Sequence, residues 1–153
     1  MQTQTQTQTQ RPAPNRAAAR SGRRPLTPSG SAAPAEDAAV ARVPQYYSLV
    51  DAGDVSGLFA LFAPDARYHR PGYEPLVGHT DLLRFYRDER VIAEGAHTLT
   101  EVVVSGAQAA VHGEFHGVLH SGQRVGLRFA DFFTLTPELT FAGRDTFFFT
   151  PLV

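Results

Sequence analysis

Past Gly95 the chain changes texture, and that change constrains its fold more than any other feature. Four runs, His97 to Val104, Ala109 to Leu119, Gln123 to Leu135 and Leu139 to Phe149, are rich in β-branched and aromatic residues and are divided by Ser-Gly or Pro-Glu turns. Before Gly95 the apolar spacing is helical instead. Between about Glu36 and Leu49 it runs through Val40, Val43, Tyr46, Tyr47 and Val50. Pro44 lies inside that run, either as a kink or close to the true start. Gly53 reads as a stop, and Asp54 as the cap of a second short helix that buries Leu58, Leu61 and Phe62. Gly72 and Pro75 break the chain before a third helix, begun by Thr80 or Asp81 and carrying Leu82, Leu83, Phe85 and Tyr86. Helices first and antiparallel strands last make an α+β domain, a curved antiparallel sheet with N-terminal helices packed on it.

A chain of 153 residues holds one such domain, and its 11 Phe and 5 Tyr supply much of the core. The first 37 residues stand apart. Gln and Thr alternate from Gln2 to Gln10, and a Pro/Ala/Ser/Gly stretch with five Arg follows before any acid occurs. Such a segment buries too little apolar surface to offset its ordering entropy, so residues 1–37 are expected to be a disordered tail and residues 38–153 the folded domain. Arg23-Arg24 precedes Ala32-Ala33-Pro34-Ala35 without an apolar run between them, so export is not expected and the cytoplasm is the expected location. No window is apolar enough to span a membrane. A net charge of −1 gives no general argument for nucleic acid, and the absence of Cys removes thiol nucleophiles and zinc–thiolate sites.

The chemistry concentrates in the strands. Leu127, Phe129, Asp131, Phe133 and Leu135 share one strand face, so an acid interrupts an apolar stripe. Flanked by Phe129, Phe132 and Phe133, Asp131 should be desolvated and kept protonated, able to donate a hydrogen bond. The alternative is a buried acid satisfied by a neighbour such as Tyr46 or Arg70. Asp145 interrupts Phe141, Gly143, Phe147 and Phe149 in the same way, with an ion pair to Arg70 as its structural explanation. In the run Ala109 to Leu119, His112, Glu114 and His116 share one face and Val111, Phe115 and Leu119 the other. From the residues alone the apolar face is core and the polar face solvent. Those three polar residues span about 13 Å along a strand, too far to converge on one ion, so no metal is expected. No phosphate loop or dinucleotide fingerprint is present, so no cofactor is expected.

Two segments carry a family resemblance. One runs Tyr46-Tyr47-Ser48-Leu49-Val50-Asp51-Ala52-Gly53-Asp54 and on to Leu61-Phe62-Ala63-Pro64-Asp65-Ala66. The other is Phe129-Ala130-Asp131-Phe132-Phe133-Thr134-Leu135. Over Ala38 to Phe149 the chain resembles the NTF2-like superfamily of nuclear transport factor 2, ketosteroid isomerase, limonene epoxide hydrolase and the SnoaL-like polyketide cyclases. The resemblance implies a cone-shaped sheet around one deep pocket. Set against the isomerase, Tyr46 and Asp131 match the oxyanion hole and Tyr86 a supporting tyrosine. Arg70 stands at the catalytic base, and a guanidinium cannot take a proton from carbon. Set against the epoxide hydrolase, Asp145 and Glu114 match the two acids, and His112 stands where that enzyme has Arg.

The resemblance also turns His112, Glu114 and His116 inward, and leaves the apolar face of their strand outside, where it can form a homodimer contact with Phe132 and Phe148 nearby. It implies a cofactor-independent acid/base enzyme acting on an apolar ketone or epoxide. Asp131, Tyr46, His112, Glu114 and Asp145 would be catalytic, and Arg70, Tyr86, His116, Phe129 and Phe147 would bind substrate. A non-catalytic binding or assembly domain using the same pocket is the other reading, because the fold hosts both.

Overall fold

The computed structural model describes residues 32–149. The expected tail, residues 1–37, therefore lies mostly outside the described residues, and its last six positions open the first helix.

Helix α1 (Ala32–Ala52) carries Pro44 in its interior rather than at its start. The proline can be accommodated because the carbonyl its missing N–H would have bonded belongs to Val40, on the exposed side of the helix. Ala39, Val43, Tyr46, Tyr47 and Val50 form the buried stripe. Gly53, at φ 67°, adopts the left-handed conformation that ends the helix. Asp54 then caps α2 (Val55–Phe59) by accepting the Gly57 N–H at 2.8 Å. Phe62 is not on that helix; it opens strand β1 (Phe62–His69). A two-residue strand β2 (Leu76–Val77) leads into α3 (Gly78–Arg84), which continues as one π turn over Phe85–Glu89.

Strands β3 (Ile92–Ser105), β4 (Gln108–Leu119), β5 (Arg124–Leu135) and β6 (Phe141–Phe148) complete the sheet. Its order is β2-β1-β6-β5-β4-β3, and it is curved and unclosed. All neighbours are antiparallel except β1 and β6, so the sheet is mixed rather than wholly antiparallel. The parallel pair exists because β1 enters ahead of α3 and the last strand returns beside it. Helices α1 and α3 cover the inner face of the sheet.

Two register details decide which side chains look inward. In β4 the buried residues are Ala109, Val111, Gly113 and Phe115, so His112, Glu114 and His116 lie on the outer face. The apolar alternation in this strand thus marks the core, and the inward placement implied by the resemblance is corrected. In β6 the pairing steps from Leu135–Phe141 to Thr134–Gly143, leaving one extra residue on that strand. This bulge breaks the alternation, because an inserted residue turns every later side chain to the opposite face. Phe141 points inward, but beyond the bulge Arg144 and Thr146 are the buried residues while Asp145 and Phe147 are exposed.

The aromatic centre of the core is Phe133, fully buried, with its ring centroid 4.5 Å from Phe141 and 5.6 Å from Tyr46. Replacing Phe133 with Ala should cost about 3–5 kcal/mol of stability. Urea unfolding of the two proteins measures the loss directly, and a change below about 1 kcal/mol would contradict this packing.

Candidate active site

The inner face carries an apolar cavity of about 150 Å³, walled by Val50, Ile92, Phe115, Leu127 and Phe129 among others, with two hydrogen-bonded polar groups on its wall besides Arg70 and Arg90. The first is centred on Asp131, which has no exposed surface. Strand register sets this group. Asp131 pairs across the sheet with Thr146, and Arg144 sits one same-face step away, opposite Phe133.

Both oxygens of Asp131 are taken. Oδ2 accepts from the Tyr47 hydroxyl and, at 2.7 Å, from an Arg144 Nη, while Oδ1 accepts from the Thr146 hydroxyl. Three donors, one of them a guanidinium, converge on its two oxygens. The expectation that Asp131 is protonated and donates a hydrogen bond is thereby corrected: its neighbours are donors, leaving it only the acceptor's part. Its satisfaction comes from Tyr47, Thr146 and Arg144, not from Tyr46 or Arg70.

Arg144 lies between the rings of Tyr46 and Tyr68, with its guanidinium carbon 4.6 and 4.5 Å from their centroids. Burial opposes its charge, but Asp131 and the surrounding tyrosine oxygens outweigh that and keep it protonated. Its other Nη donates to the Tyr46 hydroxyl and, at 3.3 Å, to that of Tyr86. The Tyr46 and Tyr86 oxygens are 2.5 Å apart. That pair has two protons, and one joins the two oxygens, so one remains to be donated into the cavity. Burial raises the pKa of both phenols, Tyr46 well above the ordinary tyrosine value and Tyr86 to about 12, so both are neutral donors near pH 7. The π turn contributes here, because its extra residue per turn places Tyr86 and Arg90 on the cavity wall.

The second polar group is His97, which comes from β3. Its Nδ1 is 2.5 Å from Asp51 Oδ1, and its backbone N–H donates to Asp51 Oδ2 at 2.8 Å. A carboxylate clamped in this way fixes the tautomer with hydrogen on Nδ1 and leaves the Nε2 lone pair free. The ring is wedged among Tyr47, Phe115 and Phe129. Burial lowers its pKa below the usual 6.5, against the opposing pull of Asp51, so the ring is neutral near pH 7.

Of the residues expected from the sequence, the cavity brings together Asp131, Tyr46, Tyr86, Arg70 and Phe129. It does not include His112, Glu114, His116, Asp145 or Phe147. Asp145 pairs with His69 at 2.7 Å on the surface rather than with Arg70, and His112 lies 3.8 Å from Glu101 on the outer face. Phe147 is 55% exposed. Sequence reasoning missed Arg144, Thr146, Tyr47, His97 and Asp51. One signal was present: Ala142-Gly143 in an otherwise aromatic strand marks a bulge, and a bulge there turns Arg144 and Thr146 inward. Nothing local links Asp51 to His97.

An open conical α+β sheet with helices closing its inner face defines an NTF2-like protein. Residues 43–138 match the model of the SnoaL-like domain family, and the chain belongs to that family. No curated protein matches it in sequence. Among solved structures it is similar to an NTF2-like protein of unknown function from Burkholderia pseudomallei, 22% identical with TM-score 0.66, over 72% of this chain and 90% of that one. It is also similar to SalBIII, described as an epoxide hydrolase/cyclase-like enzyme in pyran ring formation in polyether salinomycin, at 21% identity and TM-score 0.68, covering 75% and 93%. A third is an LEH-like epoxide hydrolase of M. tuberculosis, 14% identical with TM-score 0.67, over 76% and 86%. At these identities the likeness shows the shared fold. Among the described residues no helix is long and apolar enough to cross a membrane.

The ion pair makes a sharp stability prediction. Asp131→Asn removes the counter-charge of a buried guanidinium and should destabilise the fold by about 3–5 kcal/mol. Chemical denaturation of the variant tests this; unfolding at the wild-type midpoint would mean that Asp131 and Arg144 do not depend on one another.

Proposed function

We propose that this SnoaL-like domain is a cofactor-independent acid/base enzyme acting on an apolar ketone or epoxide. One observation carries the reading: a neutral histidine with a free Nε2 and a tyrosine pair with one spare proton line the same apolar cavity. Base and acid are thus supplied by different groups, as general acid/base catalysis requires.

With a ketone, His97 Nε2 takes a proton from the carbon next to the carbonyl. The C–H electron pair moves into an enolate, whose oxygen receives the hydrogen bond from the Tyr46–Tyr86 pair. Arg144 behind that pair stabilises the developing negative charge without moving, and Asp131 holds Arg144 in place. The enolate can then close a ring or be reprotonated at another carbon by the imidazolium. With an epoxide, the same histidine takes the proton from an attacking water or hydroxyl, and the phenol protonates the leaving oxygen. SalBIII and the tuberculosis hydrolase, with the same fold, give this direction its support.

The second reading, a binding or assembly domain, draws on Arg70, which stands where the isomerase resemblance puts the base. Its outcome would be ligand binding without turnover. Also proposed is a homodimer through the outer face of the sheet, where Phe132, Phe147 and Val103 are each more than half exposed and the first two rings pack 5.9 Å apart. Sedimentation should show Phe132→Arg shifted toward monomer relative to the wild type, and identical profiles would argue against this contact.

Turnover of a panel of apolar ketones and epoxides tests the main reading. His97→Gln should lower kcat/KM by a factor of about 10² to 10⁴, and Tyr46→Phe by about 10². Because the base works only when unprotonated and burial lowers its pKa, the rate should be flat above pH 6.5 and fall at lower pH as His97 gains a proton. Variants that turn over as fast as wild type would overturn the assignment.

A further inference from the structure

Arg70 follows the last residue of β1 and turns its guanidinium into an aromatic recess, 5.0 Å from the Tyr73 centroid, 4.9 Å from Phe85 and 5.7 Å from Phe148. Its Nε is buried and has no hydrogen-bond partner. Among the described residues no carboxylate lies within ion-pair distance of Arg70, although surface arginines such as Arg84 do find acids. Arg90, at the end of the π turn, lines the same cavity and likewise has no acid partner among the described residues. The cavity wall therefore holds three guanidiniums, Arg70, Arg90 and Arg144, against one carboxylate, Asp131, whose oxygens are already occupied.

Such an imbalance is costly in an apolar recess. A buried polar N–H without an acceptor forfeits a hydrogen bond, and a partly desolvated cation without a counter-charge forfeits more. The three rings compensate in part and also immobilise the side chain. They stabilise a cation without satisfying its N–H groups, which point in the ring-plane directions that stacking leaves open.

From this we infer that the cavity's ligand is an apolar molecule bearing a planar anionic group, a carboxylate or an acidic enol, which docks on Arg70 with Arg90 beside it. A carboxylate matches the Nε–Nη edge of a guanidinium with two parallel hydrogen bonds and is flat enough to enter between aromatic walls. Docked there, the charged end sits near the β1 terminus, while Ile92, Phe115 and Leu127 receive the apolar body between His97 and the tyrosine pair. The inference takes from the proposed function only that the cavity holds a small molecule. It names the class of that molecule and makes Arg70 a specificity residue.

Binding, not turnover, tests it. Cinnamate and methyl cinnamate are titrated calorimetrically into the full chain, its Arg70→Met variant and its Arg70→Lys variant, each checked for folding by circular dichroism. The acid should bind at least about tenfold more tightly than its ester, the scale of one charge-assisted hydrogen bond. Arg70→Met should erase that preference by weakening the acid more than the ester, and Arg70→Lys should keep only part of it. Equal binding of acid and ester by the wild type, or an acid preference that survives Arg70→Met, would overturn the inference. Should Arg70→Met fail to fold, an acid preference in Arg70→Lys undiminished from wild type would overturn it too. Because Arg70→Met alters neither His97 nor the tyrosine pair, loss of turnover in His97→Gln and loss of acid preference in Arg70→Met report separately on the two readings.

Discussion

The ion pair between Asp131 and Arg144 is the interaction on which the rest of the structure depends. With exposures of 0% and 7%, neither charge has water to support it. Removing two such charges from solvent is unfavourable unless geometry and further hydrogen bonds offset it. Here the offsets come from four separate elements of the fold. Tyr46 and Tyr47 reach in from α1, Tyr86 from the π turn, Tyr68 from β1, and Thr146 from β6. The pair ties the helices to the sheet, so the group that stabilises the cone also builds the polar floor of its cavity. Shared hydrogen bonds of this kind restrain each member from drifting, although the Nε of Arg144 is buried without a partner.

That dependence explains why the acid is oriented as it is. An isolated carboxyl among Phe129, Phe132 and Phe133 would be held neutral by desolvation. Surrounded by donors it accepts instead, and its contact with Arg144 holds that guanidinium against the Tyr46–Tyr86 pair. The role of hydrogen-bond donor thereby moves from the acid to a phenol. The proposed base is separate: His97 is held by Asp51, away from the ion pair, where burial keeps its ring neutral.

Much of the fold was legible in the chain. The helical spacing of Val43, Tyr46, Tyr47 and Val50, the stop at Gly53, the cap at Asp54 and the last three strands all follow from local periodicity and turn chemistry. The candidate site was legible in part. Asp131, Tyr46, Tyr86, Arg70 and Phe129 reach the cavity because each sits at a position whose face its neighbours declare. In β4 the apolar alternation of Val111 and Phe115 already pointed inward, and the family resemblance argued against it. In β6 strict alternation misled, because one bulge exchanged Asp145 and Phe147 for Arg144 and Thr146.

By itself the sequence determined the element types, the buried stripe of α1 and the acid set into β5, since these rest on spacings of a few residues. Only the tertiary structure decided which groups meet. Asp51 and His97 are separated by 46 positions, and Arg144 and Tyr46 by 98. No periodicity couples residues so far apart. Sheet register, one bulge and one π turn bring them together, and those depend on packing summed over the whole core rather than on any local pattern.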